Sequence, residues 1–150
     1  MNGELIRSVQ KHELGELLDL YRHLNIDDPI LVEDAGLRAL WDEILDDPAQ
    51  IYLVVEADGR LVSSCVIIVI KNLTRGASPY ALIENVVTHP DYRGRGIGTR
   101  LLKRAQEIVR EKGCYKVMLL TGRSDALPFY ENAGFESESK TGFIIRFDGL

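Results

Sequence analysis

Three glycines at alternate positions, Gly94, Gly96 and Gly98, lie in the stretch His89-Pro90-Asp91-Tyr92-Arg93-Gly94-Arg95-Gly96-Ile97-Gly98-Thr99, and no other feature of the sequence constrains the fold as much. Before this stretch, residues 80–88 are rich in apolar and β-branched side chains and read as a strand. After it, Ile97, Leu101, Ala105 and Ile108 recur at helical spacing and predict a helix over 96–112. Gly113 supplies the left-handed residue that ends such a helix, and a β-rich run at 114–120 follows. Strand, helix and strand in this order make a crossover unit whose two strands pair in parallel.

The rest of the chain supplies elements to complete a sheet around that unit. Residues 4–9 read as a first strand. Leu14, Leu17, Leu18, Tyr21 and Leu24 predict a helix over 11–25, broken by Asn25-Ile26-Asp27-Asp28-Pro29. Leu37, Leu40, Trp41, Ile44 and Leu45 share one face of a second helix over 33–46, which Pro48 stops. Strands at 51–57 and 61–71 flank Asp58-Gly59, a tight hairpin signal because a type I′ turn needs positive φ at both positions. The second of these strands is nearly all apolar, as in a strand covered on both faces. Residues 72–79 form a polar loop, 125–132 a short helix capped at Gly134, and 141–147 a closing strand. These elements predict an α/β (α+β) three-layer domain, a mixed central sheet of about six to seven strands flanked by about four helices. The chain has no internal repeat, low-complexity tract or long linker, so residues 1–150 are expected to form a single domain.

Composition narrows the function. A net charge of -5 argues against a nucleic-acid partner. Cys65 and Cys114 lie in apolar runs and read as structural thiols of a reducing compartment. Three dispersed histidines and two cysteines give no metal-ligand spacing, so no metal is expected. The opening MNGELIRSVQ has no signal-peptide core, and the longest apolar run, residues 65–70, is too short to span a bilayer. A cytoplasmic protein without a membrane partner is the expectation.

Without Cβ atoms at 94, 96 and 98, main-chain N–H groups can converge where the strand turns into the helix. Together with the positive end of the helix they form a site for a phosphate or diphosphate, to which Arg93 and Arg95 add charge-assisted donors. A Walker A loop would need a Lys-Ser/Thr pair after its last glycine, and none is present. A dinucleotide fingerprint fails too: Thr99 fills its third glycine position and no acidic residue ends the next strand. On these residues alone, a loop that merely turns the chain stays open.

Arg93-Gly94-Arg95-Gly96-Ile97-Gly98 resembles the R/Q-x-x-G-x-G/A motif of the GNAT acetyltransferases. The likeness extends back through Glu84-Asn85-Val86-Val87-Thr88 and forward to Leu127-Pro128-Phe129-Tyr130-Glu131-Asn132-Ala133-Gly134-Phe135, which is similar to the family's closing motif. The resemblance implies an N-acetyltransferase that uses acetyl-CoA as cosubstrate and moves the acetyl group to a primary amine of a small molecule or peptide by direct attack on the thioester. It places Arg93, Gly94, Arg95, Gly96, Ile97, Gly98 and Thr99 around the diphosphate, and Val86 and Val87 beside the thioester carbonyl as oxyanion donors. Tyr130 becomes the candidate acid or hydrogen-bond donor at the departing sulfur, against packing beside Phe129. Glu84 becomes the candidate base, against an exposed strand carboxylate or an arginine's partner. His89, beside Pro90, reads as a turn residue.

Within the family the chain is nearest in motif to glucosamine-phosphate-type enzymes, through Ile83-Glu84-Asn85 and Gly113-Cys114-Tyr115-Lys116-Val117. It departs from them at Asn85, at Ala126 and across 121–125, so the sugar substrate is not carried over. Asp27 and Asp28 would suit a cationic acceptor; Arg123 and Lys116 would suit an anionic one. The resemblance also implies a possible homodimer. Two alternatives remain: a non-catalytic acetyl-CoA sensor, and an enzyme using another acyl-CoA.

Overall fold

The computed structural model of the chain describes residues 3–149. Its central sheet has the order β1-β2-β3-β4-β5, formed by β1 (Leu5–Ser8), β2 (Gln50–Ala57), β3 (Arg60–Ile70), β4 (Tyr80–Thr88) and β5 (Val117–Met118). The first four strands pair antiparallel, and β4 pairs with β5 in parallel, as a crossover unit requires. The β2–β3 hairpin turns through Asp58 at φ 52° and Gly59 at φ 72°, both left-handed.

Two rows of paired residues show how the sheet divides its surroundings. Ile51, Ile67 and Ile83 are cross-strand partners. They belong to the core that also holds Leu101, Leu102 and Ala105 of the 15-residue helix α4 (Ile97–Glu111). The adjacent row, Tyr52, Val66 and Glu84, points to the other face because side chains alternate along a strand. There Tyr52 meets Leu14 and Leu17 of α1 (Leu14–Tyr21) and Trp41 of α2 (Ala35–Asp46). Asp34 starts α2 by accepting the Leu37 N–H at 2.8 Å, and the Trp41 indole donates to the Lys11 carbonyl at 2.9 Å. The remaining helices are the single turn α3 (Thr74–Ala77) and α5 (Leu127–Asn132).

Five expectations are corrected. The described residues form five strands rather than six or seven. The run 114–120 contributes only Val117–Met118, because β5 pairs at Ala81 and Leu82 and then leaves β4. Residues 141–147 form no strand, since they pair with none of the described strands. The polar loop at 72–79 contains α3, whose Arg75, Gly76 and Ala77 have φ of 57°, 67° and 61°, a left-handed turn. The Asn72 amide holds it by donating to the carbonyls of Thr74 and Ser78. The first helix also begins differently, as a 3₁₀ turn at Lys11–Glu13. Glu13 there accepts from the Gln10 N–H at 2.8 Å and from Arg7 at 2.8 and 2.7 Å. Among the described residues, no helix is long and apolar enough to cross a membrane.

Candidate active site

Strand β4 is interrupted on both of its edges. Toward β3, Glu84 pairs with Val66 and Val87 with Ser64, so Asn85 and Val86 stand opposite the single residue Cys65. This is a β-bulge, and Asn85 absorbs it at φ 52°, a conformation asparagine tolerates better than most residues. Beyond it, the buried Ser63 hydroxyl lies 2.8 Å from both the Val87 carbonyl, to which it donates, and the Thr88 hydroxyl. Toward β5, pairing covers only Ala81 and Leu82. From residue 83 onward the two strands part, and a cleft of about 890 Å³ opens between them. Its walls are residues 83–88 of β4, residues 119–123 after β5, the start of α4, and α5.

The glycine loop forms one end of this cleft. His89 begins the loop by accepting the Asp91 N–H on Nδ1 at 3.1 Å, a turn-capping role. Burial, with the charge of Arg60 and the neighbouring His23, holds its imidazole below the usual histidine range. Gly94 and Gly96 take φ of 75° and 77°, which would strain any residue with a Cβ. Gly96 is the N-cap of α4 and offers no side chain, so the N–H groups of Ile97, Gly98 and Thr99 lack intrahelical acceptors. Gly94, Gly96, Ile97, Gly98 and Thr99 all line the cleft. Gly98 has a further reason to be glycine: a Cβ there would sit 3.0 Å from the Phe129 ring and 3.3 Å from the Thr88 hydroxyl.

The two loop arginines part company. Arg93 lines the cleft and donates from Nε to the Thr88 carbonyl at 3.0 Å. Arg95 does not line it; its guanidinium lies 4.9 Å from the centre of the Tyr92 ring and donates to the Asp91 carbonyl. The Tyr92 hydroxyl in turn donates to Asp58 at 2.7 Å, tying the loop to the β2–β3 turn.

Tyr130 of α5 and Glu84 of β4 line the same cleft. The Tyr130 ring packs against Phe129 and Phe135, with centroids 4.8 and 6.3 Å away. Burial pushes its phenol above the usual value; Arg123 opposes this, while Cys65 and Glu84 add to it. The phenol is therefore a neutral donor. Glu84 is exposed to the cleft, and Val86 and Val87 lie just past it across the bulge. Cys65 is buried, its thiol pushed up to about 12 by desolvation, and remains an inert core residue.

Of the residues considered for the acceptor, Arg123 lines the cleft, with Asp125 3.3 Å away. Asp27 and Asp28 do not line it, and Lys116 stacks on Tyr80 and Tyr115 beside a second, smaller pocket. The segment at 23–25, from the first helix and the loop that the sequence assigns to an acceptor pocket, lines the cleft, whereas sequence reasoning missed the bulge, the buried Ser63 and the contribution of Arg146. An asparagine inside a β-rich run and a Ser-Ser pair inside an apolar strand were the available signals for the first two.

A mixed sheet that splits beside the exposed amides of a helix start makes a cleft suited to an anionic ligand. Residues 17–135 match the acetyltransferase (GNAT) family, and the chain belongs to it as an N-acetyltransferase. It is similar to the glucosamine 6-phosphate N-acetyltransferase of Trypanosoma brucei brucei, with 33% identity over 140 residues, 90% of each chain. The thialysine N-epsilon-acetyltransferase of Sus scrofa is 27% identical over 165 residues, 99% of this chain and 95% of that one. A solved structure from Agrobacterium tumefaciens is 41% identical with a TM-score of 0.89, covering 95% of this chain and 99% of that one.

Proposed function

We propose that the chain transfers the acetyl group of acetyl-CoA to a primary amine, with the cleft between β4 and β5 as its active site. The single observation that carries this reading is the row of uncapped N–H groups at Ile97, Gly98 and Thr99, opening onto the cleft that also holds Tyr130 and Glu84. The cleft fits the cosubstrate. The start of α4 with Gly94, Gly96 and Arg93 would hold its diphosphate, and the unpaired edge of β4 offers backbone groups to an extended ligand chain. Arg95 would act indirectly, bracing the loop through Tyr92.

Acetyl-CoA supplies an already activated thioester; the protein's residues handle position and protons. An alkyl ammonium titrates at about 10.4, so a proton must leave before the nitrogen can attack. Glu84, on the cleft wall at the bulge, accepts it directly or through water. We assign the contact with the developing oxyanion to main-chain N–H groups at Val86 and Val87, of which Val86 lies in the bulge, outside the register with β3, and Val87 resumes pairing with Ser64. The Tyr130 hydroxyl donates to the sulfur as the carbon–sulfur bond breaks and the carbon–nitrogen bond forms. The nitrogen gives up its second proton to solvent as the amide forms, and the thiolate takes one proton up.

The relatives named for glucosamine 6-phosphate and thialysine support an amine acceptor without selecting one. An acetylation assay over a panel of aminosugars, amino acids, polyamines and peptides, read by mass, tests the proposal. Amine-dependent CoA release with a product 42 Da heavier is expected. Saturable acetyl-CoA binding without turnover on any amine would favour a sensor domain, and turnover only with longer acyl-CoAs would overturn the donor assignment.

A further inference from the structure

The hydroxyls of Ser63 and Thr88 form a chain whose direction is fixed. The Ser63 oxygen lies 2.8 Å from the Val87 carbonyl and 2.8 Å from the Thr88 hydroxyl. A carbonyl only accepts, and a serine hydroxyl has a single proton, so that proton is committed to Val87. Thr88 must then donate to Ser63. Its own oxygen is left with lone pairs, and with no proton, to offer the cleft that Thr88 lines. Ser63 is fully buried, so solvent water is not there to reverse the order.

The neighbouring acceptors are already taken. The Val87 carbonyl holds the Ser63 proton, and the Thr88 carbonyl accepts from Nε of Arg93 at 3.0 Å. Among the described residues, no protein group donates to the Thr88 hydroxyl oxygen. Gly98 keeps the approach to it open, since a Cβ there would stand 3.3 Å from that oxygen. The cleft thus sets a bare acceptor at Thr88 beside the uncapped donors of Ile97, Gly98 and Thr99. Phosphate oxygens are drawn to the donors and repelled by the acceptor, so a different part of the ligand must meet Thr88.

We infer that the Thr88 hydroxyl oxygen, held as an acceptor by Ser63, takes a hydrogen bond from an amide N–H of the pantetheine arm of acetyl-CoA. The inference rests on the cosubstrate and the cleft proposed above. The arm joins the thioester to the diphosphate, and β4 runs from the bulge, where the thioester is proposed to sit, to the glycine loop. An amide N–H only donates, so it and the Thr88 oxygen match in one sense alone, whereas a ligand hydroxyl could turn away. Arg93 occupies the main-chain carbonyl of the same residue, so the side chain is the acceptor left at this point of the strand. Thr88 is then a binding residue for the cosubstrate. Ser63 is a positioning residue, which sets the polarity of Thr88 from the buried side.

Two analogues of acetyl-CoA, each with one amide N–H of the arm replaced by an ester oxygen, test the contact by calorimetric titration of the full chain. One of them should bind the wild type about tenfold or more weakly than acetyl-CoA, because the ester oxygen and the Thr88 oxygen both only accept. Thr88→Val keeps the branched shape and removes the oxygen. It should weaken acetyl-CoA itself by about two- to tenfold and bring that analogue to within about twofold of acetyl-CoA. Thr88→Ser should restore both wild-type values. Ser63→Ala frees Thr88 to turn its proton into the cleft, so the analogue's penalty should shrink although Thr88 is intact, which a packing defect would not produce. The Thr88→Val comparison decides the matter if the Ser63 variant does not fold. Equal binding of acetyl-CoA and both analogues by the wild type, or a penalty that persists in Thr88→Val, overturns the inference and leaves the cosubstrate assignment standing. An absence of saturable acetyl-CoA binding overturns both.

Discussion

Replacing Tyr130 by phenylalanine removes one hydroxyl and leaves the ring in its contacts with Phe129 and Phe135. Burial first, with Glu84 and Cys65 adding to it against Arg123, holds the phenol above its ordinary value. That value is about 10, whereas a thiol titrates near 8.5. Full transfer of the phenolic proton to the departing sulfur is therefore uphill by more than about 2 kcal/mol, at about 1.36 kcal/mol per unit. The hydroxyl is better suited to donate a hydrogen bond to the developing thiolate. Hydrogen bonds to charged groups contribute about 1.5–3 kcal/mol, which is about 10- to 150-fold in rate. Steady-state thiol release at saturating amine should show kcat lowered by that factor, with the Kd for acetyl-CoA unchanged. Because the raised pKa keeps the phenol neutral well past pH 9, the ratio of wild-type to variant kcat should stay flat from about pH 7 to 9. A loss smaller than about threefold, outside the range expected of such a bond, would refute the role. So would a ratio that collapses within that pH window.

Three further outcomes follow from the geometry. Glu84→Gln should flatten the alkaline rise of the pH–rate profile and lower neutral-pH turnover by about 100-fold or more; an unaltered profile shape means another group takes the proton. Gly98→Ala sets a methyl 3.0 Å from the Phe129 ring, inside the normal contact distance. Overpacking by about 1–3 kcal/mol should outweigh the roughly 1 kcal/mol that alanine adds to a helix, so Tm should fall by a few degrees; a rise in Tm would mean that Phe129 yields freely. Arg7→Met removes the guanidinium whose hydrogen bonds hold the Glu13 carboxyl below its usual 4.5 against desolvation. A depressed carboxyl adds stability above its unfolded pKa and loses it as pH falls through the folded one. The variant should therefore lose about 2–3 kcal/mol at neutral pH, less than a fully buried pair because Arg7 stays partly in water, and its acid unfolding should begin at higher pH. Identical urea midpoints at pH 7 would show that the ion pair adds nothing.

Much of the layout was legible because local chemistry and global packing agree. The period of Leu101, Ala105 and Ile108, the Asp58-Gly59 turn and the left-handed Gly113 each specify their element without help from elsewhere. The parallel partner of β4 was legible as a strand but not in its length, because its ending depends on where β4 and β5 separate, a tertiary event. Residues 141–147 show the same limit more sharply: strand propensity is present, but among the described residues no strand pairs with them. In the cleft, the glycine loop was readable from Gly94, Gly96 and Gly98, since only glycine meets their backbone and spacing demands. The different orientations of Arg93 and Arg95 were not, because a long flexible side chain is placed by neighbours such as Tyr92 rather than by its own position. The bulge at Asn85 arises from the register of β4 against β3, which one strand's sequence does not encode.

Acetyl-CoA and acetyl-pantetheine carry the same thioester and differ by the diphosphate and nucleotide. Calorimetric titration of both compounds therefore isolates the grip of the main-chain amides at 96–99. With two hydrogen bonds to charged oxygens at about 1.5 kcal/mol each, acetyl-CoA should bind saturably and at least about 100-fold more tightly than acetyl-pantetheine. Equal affinities, or no saturable heat with acetyl-CoA at millimolar concentration, would contradict the account.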